Sequence, residues 1–185
     1  MTMKSRHAFT LMIILELAVI ALGVSLYGWT VDGLQAATRF SGRISLLIFS
    51  VIFLTKNKFY LTFAVAHGIH LVELLSYVYL SGNSFNPIRA AGGMIAYAMI
   101  FAMPVAQLSY DKGKLTSKTL NVVTQVYLYY VWFIFIMTYL PRVMGKFPNA
   151  GGSQTEFMIL FAWVCLMIVI RLFQRYRPII TKAPQ

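Results

Sequence analysis

The sequence predicts an all-α integral membrane protein, built as a single six-helix transmembrane bundle over residues 1–185. The first observation is composition: 59% of the residues are hydrophobic, only 11% are charged, and the mean hydropathy is +0.71. A soluble domain of this length needs a larger polar surface. The second observation is that apolar stretches recur at about the 20-residue length that a spanning helix requires. The third is an uneven distribution of basic residues along the chain.

Six apolar segments follow in order, at roughly 8–28, 37–55, 59–80, 91–109, 119–140 and 155–172. The second segment reaches spanning length only if it begins near Ala37, and this start brings Arg39 and Arg43 into the outer membrane interface. The connecting loops are short and leave no room for a nucleotide-binding domain. They contain neither a GxGxxG nor a Walker-type loop.

The basic residues predict that both termini are cytoplasmic. With the N-terminus in the cytoplasm, most of the 16 lysines and arginines fall on the cytoplasmic side, as the positive-inside rule requires. The outer side then holds Arg39, Arg43, Arg89, Arg142 and Lys146. The net charge of +11 is therefore a topology signal, helped by attraction to anionic lipid. The predicted partner is the lipid bilayer and not nucleic acid, because no long basic run is present.

The third segment carries a polar stripe, formed by His67, His70 and Glu73. These residues follow at i, i+3 and i+6, so each is within about 60° of the next around a helix. An ionisable group at membrane depth costs a few kcal/mol even on lenient insertion scales, and it usually faces other helices. The stripe is therefore the first candidate for a functional site.

Glu16 lies mid-way along the first segment, at about the depth of His67 when both are counted from the cytoplasmic ends of their segments. One interpretation is a hydrogen bond that joins the two helices, and the other is a proton-handling pair. Glu73 lies further towards the outside. A structural ion pair with Arg39, Arg43 or Arg89 is the expected role of Glu73.

Three interpretations stay open for His67 and His70. They can be hydrogen-bonded core residues, or metal ligands together with oxygens of Glu16 and Glu73, although the i, i+3 spacing is less common in zinc sites than i, i+4. One of them can also bind haem iron through a neutral imidazole. Gly68 favours the third interpretation because a residue without a side chain lets a flat macrocycle approach the helix.

Two arginines, Arg39 and Arg43, stand at the outer end of the second segment. They can hold haem propionates or a quinone head group through charge-assisted hydrogen bonds. They can also simply anchor the end of the helix at the interface.

Taken together, these motifs resemble the ferric-reductase-like transmembrane family, and within it the haem-binding membrane subunit that serves a periplasmic methionine-sulfoxide reductase. The segment 39–46 reads RFSGRISL, like the start of the family's second helix. The pairs HL at 70–71 and SY at 76–77 resemble its third helix. The stretches AGG at 91–93 and AQLS at 106–109 resemble the start and end of its fourth.

The resemblance implies a b-type haem between the third and fifth helices, with His70 or His67 on the iron. It further implies a quinol or flavoprotein electron donor, a periplasmic or extracellular acceptor, and a place in a cell membrane, the bacterial inner membrane. The family has histidines in the fifth helix, whereas residues 119–140 contain none. Met137 falls near an expected position, and His/Met ligation occurs in cytochromes. Two histidines on one helix cannot ligate opposite faces of one haem.

Two functional hypotheses result. The first is a membrane electron-transfer subunit of the ferric-reductase-like oxidoreductase type, with haem b on His70 or His67. The second is a small non-redox membrane protein, either a partner-binding or assembly subunit or a transporter, in which the His/Glu stripe makes polar contacts between helices.

Overall fold

The fold is all-helical over the part of the chain that this computed structural model describes, which is residues 3–55, 57–82, 87–147 and 151–180, with the side chains of 6–55, 57–82, 91–147 and 151–175. Six helices follow in chain order: α1 (Met3–Tyr27), α2 (Val31–Leu54), α3 (Tyr60–Leu80), α4 (Pro87–Asp111), α5 (Ser117–Val143) and α6 (Gln154–Ile180). Each contains a stretch long and apolar enough to cross a membrane, with mean hydropathies between 1.4 and 2.4. The six predicted helices are confirmed.

The second helix begins earlier than predicted, at Val31 instead of near Ala37. Thr30 caps the helix, and its hydroxyl accepts a hydrogen bond from the backbone N–H of Gly33 at 3.2 Å. Asp32 adds a negative charge in the first turn, where it stabilises the positive end of the helix dipole. Because of this cap, α2 includes residues 31–36, which are too polar to be counted with the apolar segment.

The helices form a closed ring with one helix outside it. Helix α3 packs on α2 and α4, α5 packs on α4 and α6, and α6 returns to α2. Helix α1 packs on the outside of this ring, in contact with α2 and α3. Helix α2 therefore has neighbours on three sides, and its span is the most buried of the six.

An aromatic cluster fills the half of the bundle that holds the end of α2 and the start of α3. The ring of Phe49 lies 5.5 Å from those of Phe53 and Phe63 and 5.3 Å from that of Phe135 on α5. Tyr127 packs edge-on against Tyr60 in the same region. These rings fill one half of the core, and the buried acidic side chains of Glu16 and Glu73 lie in the other half.

Candidate functional site

The candidate site is a cluster of two carboxylates and a hydroxyl from three helices. Glu16 of α1 is 1% exposed, Glu73 of α3 is 7% exposed, and Ser41 of α2 is fully buried. The Ser41 hydroxyl lies beside both carboxylates, and the two carboxylates are close enough to repel each other. Neither the four carboxylate oxygens nor the hydroxyl makes a hydrogen bond of ordinary geometry within the described residues. We call these three residues the carboxylate cluster.

The positions of the two glutamates on their helices explain why they meet. Glu16 and Glu73 each lie the same number of residues beyond the first residue of their helix, Met3 in α1 and Tyr60 in α3. The sequence predicts His67 as the partner of Glu16, because it predicts that the first segment begins at Ala8. The helix begins at Met3 instead, which moves Glu16 by more than one helical turn. The structure therefore pairs Glu16 with Glu73 and not with His67.

An apolar groove on the outside of the ring leads to Glu73. Its outer part, a cleft of about 580 Å³, lies between α1, α2 and α3 and is bordered by Val24, Trp29 and Leu80. Its inner part, about 470 Å³, continues between α1 and α3 past Val72 towards the start of α3. Both parts are lined by Glu73, and we call them together the Glu73 groove.

The electrostatics of the carboxylate cluster are unusual for a protein core. Two buried carboxylates that have no basic partner among the described side chains require compensation by a proton or by a bound cation, since an isolated charge is very costly to remove from water. The nearby Ser41 hydroxyl can donate one hydrogen bond and accept another. The arrangement can therefore hold a proton or a cationic donor group between Glu16 and Glu73.

The two histidines of the stripe lie inside the ring, beyond the carboxylate cluster. His67 lies among aromatic rings, 5.2 Å from Phe63, 4.7 Å from Tyr97 and 6.4 Å from Phe135 between ring centroids. The ring of His70 lies 5.4 Å from that of His67. The Nδ1 atoms of both histidines are buried and have no hydrogen-bond partner among the described residues.

Helix α2 approaches His70 closely because residue 42 is a glycine. A Cβ atom placed on Gly42 would stand 3.1 Å from Cε1 of His70, so any larger residue would displace the imidazole. The imidazole also lies beside the backbone of Thr38. A close contact between helices therefore accounts for the glycine at this point, whereas a Cβ on Gly68 would stand 3.5 Å from the ring of Phe101 on α4, an ordinary van der Waals distance.

The residues opposite the histidines do not complete a haem site. Phe135 is the α5 residue that faces His67, whereas Met137 is 50% exposed on the other side of α5. The structure therefore does not bring Met137 to His70. The hydroxyl of Thr138 donates to the backbone carbonyl of Ile134 at 2.8 Å. Two imidazoles on one helix supply one side of a haem, and as packed these residues do not fit the group.

The described acidic residues and histidines do not come together as a metal site either. Among the side chains that the structure describes, no group of three or more His, Cys, Asp or Glu residues is close enough to hold a metal ion. The predicted metal site of His67, His70, Glu16 and Glu73 is not assembled. The two carboxylates meet at the contact of α1, α2 and α3, whereas His67 faces aromatic rings of α4 and α5.

Arg39 and Arg43 form a separate cluster that does not include Glu73. Arg43 makes an ion pair with Glu156 at the start of α6, and Arg39 and Arg43 both lie over the ring of Phe40. The expected ion pair between Glu73 and one of these arginines is therefore not formed. The side chain of Arg89, the third arginine considered, lies outside the described residues.

The sequence reasoning missed Ser41 as a member of the site. Thr38, Ser41 and Ser45 follow at i, i+3 and i+7 on α2, and all three side chains are buried. This spacing places the three residues on one face of α2, much as the i, i+3, i+6 spacing does for the stripe on α3, and the sequence therefore contains a signal for them. Serine and threonine do not stand out in a hydropathy profile, because hydropathy scales give them nearly neutral values.

Comparisons with protein-family models, with curated proteins and with solved structures find no match to this chain.

Proposed function

We propose that this chain is an integral membrane protein whose six helices cross the bilayer, with both termini in the cytoplasm. The six apolar helices support insertion, since each has the length and hydropathy of a spanning segment. The excess of lysine and arginine in the loops and termini of one side supports the orientation. A cell membrane is the proposed location.

We further propose that the function of the chain is to bind and release a proton at the carboxylate cluster, as a non-redox membrane protein of the transporter type. The observation that carries this proposal is that Glu16 and Glu73 are buried side by side, with the Ser41 hydroxyl shared between them and no basic partner among the described residues. Intramembrane carboxylates with this surrounding are characteristic of proton pathways. Proton uptake by one carboxylate removes the repulsion between the two groups.

Infrared difference spectroscopy of the protein in lipid nanodiscs tests this proposal. A pH step should produce a C=O stretching band of a protonated carboxyl group buried from water. Glu73→Gln and Glu16→Gln should each change or remove this band. Glu156→Gln is the matched control, because Glu156 is ion-paired with Arg43 away from the cluster, and it should leave the band intact. An unchanged band in both cluster variants would exclude the proposal.

The second candidate function is the electron-carrying membrane subunit that the family resemblance implies. The observation in its favour is the pair of unpartnered imidazole nitrogens on His67 and His70 inside the ring. Phe135 opposes it, because this ring would have to turn aside before a haem could enter.

A visible absorption spectrum separates the two candidates. Protein purified from haem-replete cells should lack a Soret band if the proton-binding proposal is right. If a Soret band appears, the electron-carrier candidate predicts that His70→Ala abolishes it. His7→Ala is the control, because His7 is exposed near the start of α1 and should leave the band unchanged.

A further inference from the structure

We infer that the outer mouth of the helical ring binds a phosphate group that carries a hydroxyl, as in inorganic phosphate or a phosphate monoester. The mouth lies near the turn between α5 and α6, which the proposed topology places on the outer side, and it is bordered by Arg43, His70, Tyr139 and Arg142. The inference goes beyond the proposed function, because none of these residues belongs to the carboxylate cluster. Three observations carry it: a surplus of positive charge, the stacking of the guanidinium groups, and a buried imidazole nitrogen without a partner.

The positive charge at the mouth exceeds what the chain itself neutralises. Arg43 is paired with Glu156, whereas neither Arg39 nor Arg142 makes an ion pair with a carboxylate among the described side chains. The sequence has five acidic residues, and the others are Glu16 and Glu73 in the carboxylate cluster, Asp32 in the first turn of α2, and Asp111 at the inner end of α4. A half-buried guanidinium group needs an anion nearby, because a charge without a counter-charge is costly to remove from water. An anion from outside the chain meets this need.

Aromatic rings lie against two of the guanidinium groups and orient their N–H donors. The guanidinium carbon of Arg43 lies 4.7 Å from the ring centroid of Phe40, and that of Arg142 lies 5.9 Å from the ring centroid of Phe157. The N–H donors of a guanidinium group lie in its plane, where they match two oxygens of a phosphate. One N–H group of Arg142 donates to the backbone carbonyl of Thr138. The side chain of Arg43 is 25% exposed, so a ligand can reach this edge of the ring from the solvent.

The imidazole of His70 adds an acceptor to these donors. It lies close enough to Arg142 to interact with it electrostatically, and its Nδ1 atom has no hydrogen-bond partner among the described residues. In a neutral imidazole one nitrogen donates and the other accepts, so a ring that donates to the backbone of Thr38 keeps an acceptor for a ligand. Part of His70 is exposed although it lies inside the ring of helices, so open space adjoins it.

Donors and an acceptor at the same mouth select among anions. The oxygens of a phosphate monoanion accept from the guanidinium groups and from the hydroxyl of Tyr139, which lies near both Arg43 and Arg142, while its own hydroxyl donates to His70. Sulfate has the same shape but carries no hydroxyl at neutral pH. The phosphodiester of a phospholipid carries none either. A phosphate with a hydroxyl is therefore the anion that this set of groups fits.

The test is equilibrium dialysis of radiolabelled inorganic phosphate against the full chain in phosphatidylcholine nanodiscs at neutral pH, with empty discs as background. We expect one saturable site per chain. Arg142→Gln should weaken binding by at least about tenfold, as the loss of a charge-assisted hydrogen bond predicts. Lys146→Gln is the matched control, because Lys146 is exposed at the same end of the bundle and its loss removes the same charge, and it should bind phosphate like wild type. The absence of a saturable site, or an equal loss in both variants, would overturn the inference.

Two further variants separate the charge of the mouth from its geometry. Arg142→Lys keeps the charge without the planar fork of donors, so it should bind phosphate more weakly than wild type. Glu156→Gln removes the carboxylate that competes for Arg43, so it should bind phosphate more tightly. Wild-type affinity in Arg142→Lys would overturn the planar recognition, and weaker binding in Glu156→Gln would overturn the role of Arg43.

Competition experiments on the wild-type chain test the choice of anion without any substitution. Sulfate should displace the labelled phosphate at least about tenfold less well than unlabelled phosphate does, because it offers no donor to His70. Equal competition by sulfate would overturn the assignment of His70. Displacement by phosphatidylglycerol added to the nanodiscs would overturn the choice of a phosphate with a hydroxyl over a lipid phosphodiester.

Discussion

Replacing Glu16 by leucine should make the protein more stable, although it removes a polar group from the centre of the first helix. Glu16 is 1% exposed, and neither of its carboxylate oxygens has a hydrogen-bond partner among the described residues. A buried polar group without a partner costs about 1–3 kcal/mol. Leucine fills much of the same volume, carries no polar atom and removes the repulsion with Glu73. We therefore expect Glu16→Leu to raise the free energy of unfolding by about 1–3 kcal/mol.

The assay is unfolding by sodium dodecyl sulfate in mixed micelles, followed by far-ultraviolet circular dichroism, with the midpoint and slope compared between variants. Glu156→Leu is the control, because it removes the partner of Arg43 and should lower stability by about 1 kcal/mol. A loss of stability of more than about 1 kcal/mol in Glu16→Leu would refute the reasoning. It would mean that Glu16 makes a hydrogen bond that joins helices, and that the carboxylate cluster is structural.

Three further stability measurements follow from the packing. Ser50→Ala should cost about 1 kcal/mol, because the Trp163 indole N–H donates to the Ser50 hydroxyl at 2.9 Å and would lose its acceptor; an unchanged midpoint would contradict this. Gly23→Ala should cost about 1–3 kcal/mol, because its new Cβ would stand 2.7 Å from a backbone oxygen of α2, whereas Gly93→Ala, with open space around it, should be neutral or slightly stabilising. Arg171→Gln should cost about 1–2 kcal/mol, because the guanidinium donates to a carbonyl of α2 and lies over two aromatic rings; a thermal midpoint equal to that of wild type would show that these contacts add nothing.

The existence of six helices could be predicted from the sequence, because apolar length alone decides it. The ends of the helices could not be predicted from the sequence, and the early start of α2 shows the reason. Its cap at Thr30 is a local polar interaction that a hydropathy window averages away. The start of α1 is predicted too late for the same reason. The sequence therefore predicts His67 as the partner of Glu16, whereas the structure has Glu73 there.

The orientation of α5 shows a second limit. Phe135 and Met137 are both apolar, and nothing in the sequence says which of them faces the bundle, because a spanning helix is hydrophobic on all sides. The structure turns Phe135 inwards and Met137 outwards. In contrast, the free-energy cost of an ionisable group at membrane depth is enough to predict that the polar groups on α3 face other helices. The burial of Glu73 confirms this prediction.

The peripheral position of α1 has a consequence for biosynthesis. Helix α1 precedes α2 and α3 in the chain, so Glu16 is synthesised before Ser41 and Glu73. If the chain inserts as proposed, α1 enters the membrane with an acidic side chain before the Ser41 hydroxyl is available to it, at a cost of a few kcal/mol. The apolar side chains of α1 offset that cost, since its span has a mean hydropathy of 2.4 against 1.4 for that of α3. The high hydropathy of α1 thus compensates for the carboxylate that it carries, and α1 gains its contacts with α2 and α3 only after these later helices have been synthesised.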